Sequence, residues 1–267
     1  MIRKPAVAYQ FYPGEPDELE RTVSSFEDRE AAKEDVIAII VPHAGYIYSG
    51  KVAGSVYSSA RICDNVILLG PNHTGLGEAV SIMPSGRWEI PTGTIEVNNN
   101  LARLLLDESP LLSSDEKAHL REHSLEVQLP FIHHFNRNVR IVPITIMHLN
   151  TDDCEELGRT IGRVIKEYEN EVLIAVSSDM NHYESDEVTR AKDKRALDRL
   201  LALDAEGLLK TTEGENITMC GVIPAAVAIS AAKELGATSA RLVDYATSGD
   251  TSGDYGHVVG YAGVLIQ

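Results

Sequence analysis

Apolar residues recur along this chain in two rhythms. Runs with little polar interruption, at 36–41 (VIAIIV), 65–69, 140–146, 172–177, 240–246 and 257–266, are short and rich in Val, Ile, Leu or Ala and read as buried strands. Between them the spacing turns helical. Leu19, Val23 and Phe26 fall on one face of 17–33 behind an acidic first turn, 51–60 (KVAGSVYSSA) reads as a short helix, and further helices are predicted near 98–108, 115–134, 152–169, 186–203 and 222–235. Strands buried on both faces and alternating with helices predict a mainly parallel central sheet, hence an α/β chain folded as a three-layer α/β/α sandwich. No Pro/Gly/Ser tract, run of like charge or repeat divides the alternation, so residues 1–267 are expected to form a single domain with a full core.

Charge narrows the partners. With 24 basic against 40 acidic residues the net charge is −16, which repels a phosphate backbone, so nucleic acid is not an expected partner. The opening MIRKPAVAYQFYPG lacks the continuous apolar region of a secretory signal, and no stretch approaches the roughly 20 apolar residues that span a bilayer. A soluble, cytoplasmic protein without membrane association is expected. Cys63, Cys154 and Cys220 are too few and too scattered for a disulfide framework or a zinc knuckle, and are expected as free thiols.

Ligands of an open parallel sheet bind beyond the carboxyl ends of its strands, and that rule acts as a filter on candidate chemistry. His43 follows VIAIIV in VPHAGYIYSG; His73 follows NVILLG in GPNHTG; Asp179 and His182 follow VLIAV in SSDMNHY. One histidine after a strand is ordinarily a capped loop residue, but three separate strands delivering such groups to one rim point to a site. Neutral imidazole is the commonest metal ligand, and two of them need one anionic partner to hold a divalent ion. Asp179 and Cys220 are both candidates for it. Cys220, in MCGVIP, sits just ahead of an apolar helix, where unpaired N–H groups and the dipole favour thiolate; as a free cysteine it also fits the reading of a small buried hydrophobe.

Other motifs are weaker. His123 and Glu126 lie three residues apart in REHSLEVQLPF, on one face of the predicted helix, where they either serve a site or pack and cap; no zincin spacing is present. His133 and His134 point about 100° apart on a helix and cannot serve one site together. The glycine-rich SGDTSGDYG has Asp250 and Asp254 but no cation, which argues against a phosphate cradle and for a pocket-lining loop with His257 beside it. There is no Gly-x-Ser-x-Gly elbow.

Taken in order, PHAGYIYSG, LLGPNHTG, REHSLEVQLPF, SSDMNHY, MCGVIP and SGDTSGDYG resemble the Memo family over essentially the whole chain. The resemblance implies an extradiol-dioxygenase-like fold, similar to the class III nonheme-iron enzymes, with a metal in a vestibule. It assigns His43, His73 and Cys220 as metal ligands, with Asp179 and His182 as catalytic residues beside them. Those dioxygenases use two histidines and a carboxylate; a cysteine in the third place suits iron or copper and is itself oxidisable. The functions implied are a metal-dependent oxidoreductase or, alternatively, a non-catalytic module that binds a small molecule or peptide in the same crevice.

Overall fold

The apolar runs serve two cores because alternate strand residues face opposite sides of a sheet. In one core Ile40 packs with Ile67, Leu69, Val142, Ile174 and Val176; in the other Ile39 and Val41 pack with Val66, Leu68, Ile141, Leu173 and Ala175. The computed structural model describes residues 1–267. At the centre Gly93–Val97, Arg140–Ile146, Asn65–Pro71, Val172–Ser177 and Ala38–Val41 lie in that order, all parallel. Val258–Ile266 pairs antiparallel with Ala38–Val41, and itself carries Ala240–Thr247 and His182–Glu184 as antiparallel neighbours.

Helices cover both faces, so the layers are α/β/α. Asn99–Glu108, Thr151–Glu167, Asp186–Leu201, Ala205–Gly214 and Val222–Glu234 bury their apolar sides in the first core, and Pro16–Ser25, Tyr46–Ser59 and Leu129–Phe135 in the second. No helix is long and apolar enough to cross a membrane.

Several boundaries differ from the pattern-based expectation. The helix expected over 51–60 starts at Tyr46, and the one expected over 17–33 stops at Ser25. Ala205–Gly214, capped by the Asp204 side chain on Gly207 N, and the hairpin of Arg87–Ile90 with Gly93–Val97 were not anticipated. The largest departure is at 115–134. It is not one helix but two single 3₁₀ turns, Lys117–His119 and Glu126–Gln128, followed by the helix Leu129–Phe135. Carboxylates take the N–H groups a helix would need: Asp115 accepts from Lys117 N, and Glu122 accepts from His123 N and Ser124 N. Such local side-chain bonds compete directly with the helical ladder.

The same segment is held from behind by the first residues of the chain. The fully buried Arg3 donates to the carbonyls of His119 (3.0 Å) and Glu122 (2.8 Å) and to the Glu126 carboxylate, with its guanidinium 4.2 Å over the Trp88 ring. Glu126 also accepts from Ala6 N (2.8 Å), Val7 N (3.0 Å) and the Tyr12 hydroxyl (2.6 Å). Its carboxylate therefore anchors the N-terminal arm, and the helical His123/Glu126 pair is corrected on that ground. Glu126→Ala would leave the Arg3 charge buried and unpaired, a loss of roughly 3–5 kcal/mol. Urea denaturation should show a correspondingly lower midpoint, and a change under 1 kcal/mol would contradict the anchoring role.

Candidate metal centre

Parallel pairing sets the site. Val41 pairs with Ser177 and Ile174 with Ile67, so the strands that precede His43, His73 and Asp179 end on the same side of the sheet. Into that crevice the 120–125 loop brings a third imidazole. One ring nitrogen from each of His43, His73 and His123 lies within 4.8 Å of the others. Ring centroids are 5.3 Å apart for His43 with His73 and with His123, and 4.7 Å for His73 with His123. His123 was the residue left without a clear assignment by periodicity. A signal was available: Arg121, Glu122, His123 and Ser124 form a polar run with no apolar stripe for a buried helix to use.

Partners of the Nδ1 atoms fix which nitrogen faces the centre. The Ser177 hydroxyl donates its single hydrogen to the Ser124 carbonyl (2.6 Å), so at 2.8 Å from His43 Nδ1 it accepts, and Nδ1 carries the proton. His73 Nδ1 is 2.9 Å from the Glu122 carboxylate, which only accepts. His123 Nδ1 lies 3.4 Å from the same oxygen. His182 Nδ1 is 3.0 Å from the Thr218 carbonyl. The hydrogen bonds of His43, His73 and His182 assign Nδ1–H to those rings and leave Nε2 as the lone-pair atom. Burial, then the charges of His123 and His73, hold His43 well below the ordinary imidazole range, and burial also lowers His123. Both are neutral at pH 7.

Asp179 and Cys220 stand on the other side of His43. Asp179 Oδ1 accepts from His43 N (2.7 Å) and Ala44 N (3.3 Å), which locks the loop after Val41; burial raises its pKa despite those bonds. Cys220 Sγ lies 3.3 Å from His43 Nε2 and accepts from Asp179 N at 3.2 Å. It precedes the helix Val222–Glu234, as expected, but the dipole does not win: burial, and then the Asp179 charge, push the thiol well up. Without a cation the sulfur is protonated. His182 is half-buried at the crevice, near both Asp179 and His43.

The remaining candidates lie elsewhere. His119 is fully buried against Trp88, with neither ring nitrogen hydrogen-bonded; His133 contacts Arg137, and His134 contacts Glu20. His257 is exposed. The glycine-rich segment contains the short helix Gly249–Ser252, and the cation its sequence lacks comes from Arg190, 2.9 Å from Asp250. Cys154 is a buried free thiol within Thr151–Glu167, and Cys63 is a half-buried one.

A family model described as Memo-like protein matches residues 3–265. Relatives described as MEMO1 family proteins include one from Aquifex aeolicus, 46% identical with 99% of this chain and 98% of its own length covered. Another, from Sulfurisphaera tokodaii, is 43% identical with 99% of each covered. A solved structure of an uncharacterized protein from Escherichia coli K12 superposes with a TM-score of 0.53 at 12% identity, covering 85% of this chain and 98% of that one, which speaks for the fold alone.

Buried neutral histidines make stability depend on pH. His43, His119 and His123 stay neutral when folded and take up protons when unfolded, so their depressed pKa values contribute stability that is present above about 6.5 and lost on acidification. For His119, lowered to about 4 by burial and then Arg3, the window runs from 6.5 down to 4, and the loss reaches roughly 3 kcal/mol at its acid end. His119→Phe, which removes two unpaired buried nitrogens, should flatten the slope in metal-free protein. Urea midpoints at pH 7 and pH 5 check this; an unchanged difference between them would refute it.

Proposed function

We propose that this chain, which belongs to the Memo-like family, holds one iron or copper ion between His43, His73 and His123, with Cys220 as a soft donor beside them, and acts as a metal-dependent oxidoreductase. The observation that carries the reading is the convergence of three imidazoles, two of which, His43 and His73, are held through Nδ1 by acceptors. The donor set suits such an ion: neutral imidazoles bind borderline metals, and a cation next to Cys220 would draw off the proton that burial otherwise keeps on sulfur. When bound, the ion supplies redox and Lewis-acid chemistry to a small molecule in the crevice.

The chain's own residues do the rest. Ser177 and Glu122 hold the ligand rings in their tautomers, and Asp179 fixes the loop that carries His43. His182, with Nδ1–H on the Thr218 carbonyl, keeps Nε2 free to exchange a proton with a molecule bound beside it. A second reading, a module that binds a small molecule or peptide without turnover, is favoured by one feature. Phe11, whose ring is 4.7 Å from that of His123, also lines an aromatic groove with Tyr9, Tyr12, Phe26, Tyr46 and Tyr48.

Chelator-treated protein titrated anaerobically with ferrous or cuprous ion should take up one equivalent, and His43→Ala, His73→Ala and His123→Ala should each weaken binding by well over tenfold. Cys220→Ser should cost cuprous more than ferrous affinity, because the lost donor is soft. Wild-type uptake that survives all three histidine substitutions would overturn the site. Oxygen uptake with catechols then separates the two readings: metal without turnover speaks for the binding module.

A further inference from the structure

The three imidazoles are not oriented independently. His43 is served by Ser177, but His73 and His123, which come from distant parts of the chain, meet at one carboxylate. Glu122 is fully buried. Its Oε2 accepts His73 N (2.5 Å), and its Oε1 accepts His73 Nδ1 (2.9 Å), His123 N (3.0 Å) and Ser124 N (2.9 Å), with His123 Nδ1 at 3.4 Å. Each of the four hydrogen bonds in this set is donated to the carboxylate, and an ionised carboxylate is the side chain that offers acceptors alone.

The loop that carries the carboxylate is fixed as well. The Glu122 carbonyl accepts from Arg3 Nη2 (2.8 Å), and Arg3 is itself clamped on Trp88 and Glu126. On the far side the Ser124 hydroxyl donates to the Pro71 carbonyl (2.9 Å), which ties the loop to the strand end that delivers His73.

Resting on the metal reading above, we infer that Glu122 is the positioning residue of the centre, a single carboxylate that sets the tautomer of His73 and the place of His123 together. A carboxylate behind a ligating imidazole fixes its orientation and raises its basicity, and removing such a partner typically costs 10–100-fold in metal affinity.

Glu122→Gln separates this from simple packing, because the shape is kept and the acceptor pattern is not. With the amide nitrogen towards His73 N, one N–H faces another. With the amide nitrogen towards Nδ1, His73 must accept there, which moves its proton to Nε2 and blocks the lone pair that faces the centre. Cobaltous ion titrated into metal-free wild-type and E122Q protein, followed by the cobalt absorption bands, should show a 10–100-fold weaker variant with an altered band pattern. Nitrogen-15 spectra of the metal-free proteins should show His73 as the Nδ1–H tautomer in the wild type and a shift towards Nε2–H in the variant. Affinity within twofold of wild type, with His73 in an unchanged tautomer, would overturn the inference while leaving the metal reading intact. If E122Q does not fold, the wild-type spectrum still decides: His73 found as Nε2–H would overturn it. A wild-type protein that binds no cobalt but shows the tautomer shift would remove the metal reading and keep the orienting role of Glu122.

Discussion

The backbone N–H groups of Lys117, His123 and Ser124 are claimed by side-chain carboxylates instead of by a helix, and the arrangement of the crevice depends on that exchange. A helix through this segment would satisfy its own donors and turn His123 with its neighbours at regular intervals. With Glu122 accepting from His123 N and Ser124 N, and Asp115 from Lys117 N, the chain instead runs as a loop across the strand ends. Burying a carboxylate costs several kcal/mol unless its oxygens are bonded. Glu122 and Glu126 meet that condition with different partners, one with the site histidines and the other with the N-terminal arm. The two buried carboxylates join the first residues of the chain to the centre through Arg3, which contacts the backbone of one and the side chain of the other.

On the opposite wall the geometry comes from the sheet. Strands buried on both faces have little freedom in register, because a one-residue slip would exchange the two cores. Val41 therefore ends beside Ser177, and His43 and Asp179, each two residues further on, meet through the backbone N–H of one and the carboxylate of the other. Ser177 itself joins the two walls: it accepts from His43 Nδ1–H and from Gln128, and donates to the Ser124 carbonyl. Loop and sheet thus hold each other, and neither wall is complete alone.

Burial sets the electrostatics of the crevice. Burial keeps His43 and His123 uncharged, raises Asp179 and holds the Cys220 sulfur as a thiol. The helix dipole ahead of Val222 is too small to reverse that, since terminal dipole effects amount to about 1–2 kcal/mol at best. An added divalent charge would act on all of these groups in the same direction, favouring carboxylate and thiolate together. This separates the present site from a helix-activated cysteine, whose thiolate exists before any partner arrives.

The strands at 38–41, 65–71, 140–146 and 172–177, the layered α/β arrangement and the common rim of His43, His73 and Asp179 were all legible in the sequence. They follow from local pattern: uninterrupted apolar runs mark strands buried on both faces, and parallel connection puts their carboxyl ends on one side. The loop at 115–128, the arrival of His123 and the separate tasks of Glu122 and Glu126 were not legible. Periodicity scores a residue by its neighbours three and four positions away, whereas these residues are fixed by partners at Arg3, Tyr12 and His73, tens of positions distant. The protonation of Cys220 belongs to the same class. Its place ahead of a helix is a sequence property, but its burial beside Asp179 exists only once the sheet, the loop and the helix have been packed together.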